Sequence, residues 1–247
     1  MGNGYTIQRG QVPDSDLTKI WMNIHLLVAK QLERLNIKPT ADMQKNLVAL
    51  LTADAELYIA TLSLASRLKS VFDMFGKIVN DEVVLAVPSF PVLHVMANDL
   101  KIPDGYHGTL AHQDWASTQG SLDTMTLWVP ITNTVGNFPL EIAPKTHHKP
   151  LLPGKTNGSV VEVDYDGPFA TLDAEFGDVV CFTGFAVHRT GKGGNGLRMA
   201  VSMRYERVDE KTFIERGYPC AQKRVVDREI RFNPTEEQIR EAFYAVD

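Results

Sequence analysis

Cysteine is almost missing from this chain: 247 residues carry two, Cys181 and Cys220. Two are too few for a disulfide framework, and Cys181, inside the apolar run Val179-Val180-Cys181-Phe182, reads as a buried thiol. Long apolar stretches are missing too. No run approaches the roughly 20 residues that span a bilayer, and Met1 to Pro13 is polar and glycine-rich, without the apolar segment of a signal peptide. A surplus of basic charge is also absent, since 25 Lys and Arg face 30 Asp and Glu for a net charge of −5. That balance argues against nucleic acid as the main partner. The expectation is a protein of the reducing cytoplasm that handles a small molecule, without membrane or nucleic acid, as a monomer or homodimer.

What is present can build a core, because 44% of the residues are hydrophobic and 22% charged. No repeat, low-complexity tract or linker divides the chain. It reads as a single domain over 1–247, with a helical part at 1–80, a β-rich core at 81–206 and an extension at 207–247. Helical period runs through Leu17, Ile20, Trp21, Ile24, Leu27, Val28, Gln31 and Leu35 behind the cap candidates Asp14 and Ser15. A second helix follows Thr40 through Met43, Leu47, Leu50 and Leu51. A third is expected from Asp54 to a stop at Gly76.

After Asp81 the pattern turns to short runs separated by Gly, Pro, Asn and Asp: Val83–Val87, Pro91–Met96, Gly108–His112, Thr124–Ile131, Leu140–Ala143, Val160–Val163, Asp178–Thr183 and Met199–Tyr205. Such runs predict a sandwich or jelly roll with a helical layer on one face. The strand faces differ. Arg198, Ala200, Ser202 and Arg204 share one side of the last strand, so that side lines something wet or charged, while Met199, Val201, Met203 and Tyr205 share the other. Thr124, Thr126 and Trp128 likewise oppose Met125, Leu127, Val129 and Ile131, and the apolar faces are expected beneath the helices. Pro234 to Asp247 reads as a final short helix.

Two glycine motifs imitate nucleotide sites. Gly191-Lys192-Gly193-Gly194-Asn195-Gly196 matches the dinucleotide fingerprint, but period-two alternation follows it where a helix is required. Gly154-Lys155-Thr156 resembles the end of a phosphate loop, with Lys149 at the position of the first glycine. Both are rejected.

His112-Gln113-Asp114 is the informative step. Seven His and 30 acidic residues produce about one His-x-carboxylate match by chance, so its surroundings must carry the argument. On a strand, residues i and i+2 share a face, which would aim His112 and Asp114 at one metal and Gln113 away from it. His188 closes an apolar run after the turn Gly177-Asp178, and Arg198 follows across the glycine loop. Two antiparallel strands joined by that loop would set these two side by side. Two histidines and a carboxylate are the facial ligand set of non-haem Fe(II) oxygenases, and a fixed guanidinium can grip a carboxylate with two parallel hydrogen bonds. His25 and His107 read as structural. Trp115, Gln119 and Phe185, near the ligands in sequence, are candidate substrate contacts. His147 and His148, between Lys145 and Lys149, are candidates to receive an anionic substrate at the barrel mouth.

These blocks resemble the phytanoyl-CoA dioxygenase family of Fe(II)- and 2-oxoglutarate-dependent oxygenases. The resemblance rests on His112-Gln113-Asp114-Trp115, Thr126-Leu127-Trp128-Val129-Pro130-Ile131, Leu140-Glu141-Ile142-Ala143-Pro144-Lys145-Thr146-His147, Gly177-Asp178-Val179-Val180-Cys181-Phe182, and His188-Arg189-Thr190 with Arg198, in order over roughly 90–206. It implies a double-stranded β-helix, the cupin-like jelly roll, with N-terminal helices packed on one face. It implies Fe(II) on His112, Asp114 and His188, with 2-oxoglutarate held by Arg198 and Thr190 beside Trp128. It also implies O2 as co-reactant, and hydroxylation of an unactivated C–H bond with release of succinate and CO2. Asp114 in the carboxylate position does not favour halogenation. The chain departs from the family at Pro139, at Pro144-Lys145-Thr146-His147 where Pro-Gly-Ser-His is common, and at His94 where Arg is more usual. Two alternatives stay open: a cupin-like metal enzyme that does not use 2-oxoglutarate, and a noncatalytic jelly roll that binds a sugar or anion.

Overall fold

Helices open the chain because its apolar residues recur at intervals of three and four. The computed structural model describes residues 1–79, 84–86, 91–100, 110–118, 122–149, 151–157, 160–207 and 224–226. After a strand β1 (Tyr5–Gln8), α1 (Asp14–Arg34) buries Leu17, Ile20, Ile24, Val28 and Leu32 along one stripe. In α2 (Met43–Ala53), Met43, Leu47 and Leu50 do the same. The caps differ from expectation. Pro13, not Asp14 or Ser15, precedes α1 and offers no side-chain cap, and Asp42 rather than Thr40 caps α2 by accepting from the Lys45 amide. Asp54 caps the next helix, accepting from the Leu57 amide at 2.8 Å.

The expected third helix is two: α3 (Ala55–Ala65) and α4 (Lys69–Ile78). At the break, the Arg67 and Leu68 amides bond three residues back, to Leu64 and Ala65, which tightens the backbone into a turn. The Ser66 hydroxyl donates to the Ser63 carbonyl. Gly76 lies inside α4 and does not stop it.

The strands are β2 (Val84–Ala86), β3 (Val92–Met96), β4 (Met125–Pro130), β5 (Leu140–Ile142), β6 (Gly154–Asn157), β7 (Val160–Val163), β8 (Ala170–Thr171), β9 (Val179–Thr183), β10 (His188–Thr190), β11 (Arg198–Arg207) and β12 (Arg224–Val226), with a one-turn helix α5 (Asp114–Thr118) before β4. Among the described residues the larger sheet has the order β1-β9-β4-β11-β2-β12, and β3 also pairs with β11. The smaller sheet contains β10-β5-β8 and the β6–β7 hairpin. The two join through His112, which bridges both His188 and Glu162.

The larger sheet separates two cores. Leu127, Val129, Ile131, Met199, Val201 and Met203 on its outer face pack with α1 to α4, as the alternation predicts. Trp128, Val180, Phe182 and Ala200 on its inner face meet Leu140 and Ile142 of the smaller sheet. The antiparallel jelly-roll core with a helical layer is therefore the observed fold. Cys181 is buried, and burial pushes its thiol pKa up.

Other expectations shift. Residues 5–8, read as polar N-terminus, form β1 on the edge of β9. The segment that imitates a phosphate loop is β6, paired with β7. His188 and Arg198 are not neighbours on one hairpin, because β10 pairs with β5 while β11 pairs with β4 and β3. The glycine loop between them crosses from one sheet to the other. There the Gly191 amide donates to Pro139, and a Cβ on Gly194 would run into Asn137 and Phe138. Position 112 forms only bridges, and Gly108, His107, Gln119, Cys220 and the expected helix from Pro234 to Asp247 lie outside the described residues.

Asp178 ties β1 to this framework. Its carboxylate accepts from the Gly10 and Glu175 amides at 2.9 Å and from Arg9 at 2.5 Å. Gly177 before it holds φ +91°, a conformation that favours glycine. Burial alone would raise the Asp178 pKa, but the two amides and Arg9 outweigh it and hold the pKa below the ordinary carboxylate value. A depressed folded-state pKa contributes stability above the unfolded-state pKa, and that contribution is lost as pH falls through the folded value. Asp178→Asn should therefore cost about 2 kcal/mol at neutral pH. Urea denaturation should show the gap between the two proteins narrowing as the pH is taken below about 4; a gap independent of pH would refute the charge argument.

Candidate functional site

His112 and His188 meet through their backbones. Each amide donates to the other's carbonyl at 3.0 Å, and the imidazole centroids sit 4.1 Å apart. Asp114 arrives differently from the strand geometry expected: it is the first residue of α5, so a turn rather than a shared strand face brings its carboxylate back. Asp114 Oδ1 lies 3.7 Å from His112 Nε2, and Oδ2 lies 3.8 Å from His188 Nε2. One ligand atom from each of the three residues falls within 4.8 Å of the others, and all three residues are buried.

Both rings are oriented in the same way. Nδ1 of His112 is 2.8 Å from the Leu110 carbonyl and Nδ1 of His188 is 3.0 Å from that of Ala186. A carbonyl only accepts, so each Nδ1 carries the proton and each Nε2 keeps its lone pair for a metal. Burial lowers both histidine pKa values, that of His112 to about 3 with help from His188. Burial alone would raise the Asp114 pKa, but Arg204 and the two histidines outweigh it and hold the group well below the usual carboxylate range. Two neutral imidazoles and one carboxylate suit a divalent cation such as Fe(II).

Hydrogen bonds fix the segments that carry these ligands. Gln113 points away from the metal position, as expected, and its amide donates to Phe185 and accepts from Leu152. The Thr146 hydroxyl donates to Ala143 and accepts from the Val187 amide at 2.9 Å. The chain is thus pinned just before His188 from two directions. Thr146 keeps a hydroxyl where the Pro-Gly-Ser-His step has serine. Lys145, at the glycine position of that step, stands at φ +66°, in the left-handed region.

A cavity is lined by His112, His188, Thr190, Trp128, Arg198 and Arg204, among others. Arg198 is 2% exposed. Its Nε donates to the Phe138 carbonyl and its Nη2 to the Thr190 hydroxyl at 2.9 Å, and its guanidinium carbon lies 5.8 Å from the Trp128 ring centroid. Its Nη1 is buried and makes no hydrogen bond among the described residues. Burial brings the Arg198 pKa down to about 9, which leaves the group charged at neutral pH. The expected cosubstrate residues Arg198, Thr190 and Trp128 therefore come together.

The expected substrate contacts do not join them. Trp115 and Phe185 stack on each other with centroids 5.4 Å apart, and neither lines this cavity. His147 packs on Gly4, whose Cβ would meet its ring, and against His148. Gln119 lies outside the described residues. Arg204, Thr126 and His94 also line the cavity. Sequence reasoning marked Arg204 and Ser202 only as the polar face of a strand, and that alternation was the available signal.

No protein-family profile matches the sequence, and no curated protein matches it. Among solved structures, the chain is similar to the apo form of the non-heme monooxygenase ThoJ, with 12% identity, a TM-score of 0.50, and coverage of 84% of this chain and 75% of that one. It also matches SnoK, a non-heme alpha-ketoglutarate-dependent carbocyclase from nogalamycin biosynthesis, with 14% identity, a TM-score of 0.49, and coverage of 85% and 82%. A third match is EvdO2 from Micromonospora carbonacea var. aurantiaca complexed with 2-oxoglutarate, with 16% identity, a TM-score of 0.48, and coverage of 83% and 86%. At these identities the likeness concerns the fold alone, the jelly-roll core with its helical layer. No helix among the described residues is long and apolar enough to cross a membrane.

Lys145→Gly should relieve the positive φ and stabilise the protein by about 1 kcal/mol, the order of the penalty for an L-residue in that region. Thermal melting checks this, and a lowered Tm would show that the Lys145 side chain contributes more than its backbone costs.

Proposed function

We propose that this chain is an Fe(II)- and 2-oxoglutarate-dependent oxygenase of the phytanoyl-CoA dioxygenase type, acting on a small-molecule substrate. His112, Asp114 and His188 would hold the iron. The observation that carries the cosubstrate is the unpaired Nη1 of buried, charged Arg198. An isolated buried cation is costly unless a counter-charge arrives, and among the described residues no carboxylate pairs with it. The terminal carboxylate of 2-oxoglutarate supplies that charge.

The spacing supports the same ligand. His188 and Thr190 bond to β5 in register with Ile142 and Leu140. Two residues apart on one strand, they share a face and stand about 6.6 Å apart. That spacing suits a five-carbon diacid with one end at the metal and the other at Thr190 and Arg198. Thr190 accepts from Arg198 and keeps its own hydrogen to donate.

When bound, iron would activate O2, the oxidant, and 2-oxoglutarate would supply two of the four electrons O2 takes up: 2-oxoglutarate, O2 and the substrate become succinate, CO2 and a product whose C–H bond has become C–OH. The chain's own part is to present two oriented imidazoles, keep Asp114 ionised, neutralise the diacid with Arg198 and cover it with Trp128. Hydroxylation is the outcome we favour, in a single catalytic domain.

Anaerobic titration of the apoprotein with Fe(II) and then 2-oxoglutarate tests the assignment through the weak visible charge-transfer absorption of the chelate. Arg198→Ala should retain iron and lose at least about tenfold in 2-oxoglutarate affinity, the scale of a lost charge-assisted hydrogen bond. Arg198→Lys should recover part of it, and His188→Ala or Asp114→Ala should abolish iron binding. Unchanged 2-oxoglutarate affinity in Arg198→Ala would favour a metal enzyme that does not use this cosubstrate. Absence of iron binding in the wild type would leave a noncatalytic jelly roll.

A further inference from the structure

Asp114 is held by more than its place at the metal site. Arg204 Nη2 donates to its Oδ1 at 2.5 Å, and the Thr126 hydroxyl donates to its Oδ2 at 2.7 Å. The two donors sit opposite each other on paired strands, because β11 and β4 place Arg204 against Thr126. The Arg204 side chain is 12% exposed, and Asp114 is its ion-pair partner. Its Nη1 donates to the Ser202 hydroxyl at 3.2 Å, and that oxygen lies 2.8 Å from His94 Nε2. The polar face of β11 thus contains two arginines with different tasks. Arg198 has no carboxylate partner among the described residues, whereas Arg204 is anchored to the carboxylate that would bind iron.

We propose that Arg204 is a positioning residue that sets the redox poise of the metal through Asp114, holding the site in the ferrous state. The inference rests on the iron-binding reading above. Oxidation raises the metal's charge by one unit, so a fixed cation paired with one of its ligands disfavours the ferric form more than the ferrous. The same pairing draws electron density from the carboxylate and weakens its donation to the metal. The resting enzyme needs this protection: in air without cosubstrate, Fe(II) can pass one electron to O2, giving Fe(III) and superoxide. Thr126 donates a neutral hydrogen bond and brings no net charge. The Ser202 and His94 contacts keep the guanidinium from swinging away.

The test uses full-length wild type, Arg204→Met and Arg204→Lys, loaded anaerobically with Fe(II), with Co(II) binding as the check on site integrity. A mediated titration of the Fe(III)/Fe(II) couple and the rate of ferrous loss in air without 2-oxoglutarate are the readouts. Arg204→Met should bind Co(II), shift the potential to a lower value and lose ferrous iron about tenfold faster, within the range expected of groups that hold a metal ligand. Arg204→Lys should stay near wild type, because it keeps the charge. A wild-type potential and oxidation rate in Arg204→Met would overturn the proposal, as would a Lys variant that behaves like the Met variant. If Arg204→Met takes up no metal, Arg204→Gln, which keeps a hydrogen-bond donor on the side chain but not the charge, should give the same lowering of the potential, and an unchanged value there overturns the proposal instead. Failure of the wild type to bind iron would overturn the functional reading itself, and this inference with it.

Discussion

The backbone pairing of His112 with His188 is the constraint on which the rest of the site depends. Two reciprocal hydrogen bonds of 3.0 Å do three things together. They join the β10-β5-β8 strands to the β6–β7 hairpin, because His112 also bridges Glu162. They fix the distance between two imidazoles before any metal arrives. They also start α5 from a defined position, so that Asp114 returns to the same point. A metal site assembled from separate flexible segments would have to pay for their ordering on binding. Here that cost is met in folding.

The same economy explains why so many polar side chains around the ligands are buried. Gln113, Thr146, Thr126 and Arg204 are each hydrogen-bonded to Asp114 or to a segment next to His188. None reaches for bulk solvent, and each satisfies a group that would be costly to bury alone. The helical layer acts at one remove. By covering the outer face of β4 and β11 with α1 to α4, it leaves their inner faces to define the cavity.

Period and alternation are local properties, and the features that depend on them were legible in the sequence: the stripe of α1, the two faces of β4 and β11, and the shift from helices to strands after residue 80. That His112, Asp114 and His188 come together, and that Arg198 lines the same cavity as the two histidines, was legible too, from the order of several motif blocks rather than from the His-x-carboxylate step, which chance alone produces about once. What escaped depends on contacts between distant segments. Nothing in Tyr5–Gln8 announces that β9 has an open edge for it. The break between α3 and α4 carries no Gly or Pro, only a tightened turn at Ser66–Leu68. A glycine-rich loop can close a hairpin or cross between sheets, and the contact of Gly191 with Pro139 decides which. Arg204 was visible only as one polar residue among several on a strand face. Its partner, Asp114, lies 90 residues away in sequence.

The two arginines of β11 show how burial and pairing divide labour on one strand. Both are nearly enclosed. Arg204 has its carboxylate within the protein, where the pair holds Asp114 in place. Arg198 has a carbonyl and a hydroxyl, neutral groups that orient it without neutralising it. Among the described residues the fold pairs one buried cation with a carboxylate and leaves the other without one beside a cavity, which favours an anion there. The selectivity follows from the same asymmetry. An anionic ligand gains the attraction of Arg198 without first displacing an internal partner, whereas at Arg204 it would have to compete with Asp114. In the function proposed above, the distal carboxylate of 2-oxoglutarate would thereby be directed to the Thr190 end of the cavity, leaving the position between His112, Asp114 and His188 open for its other end.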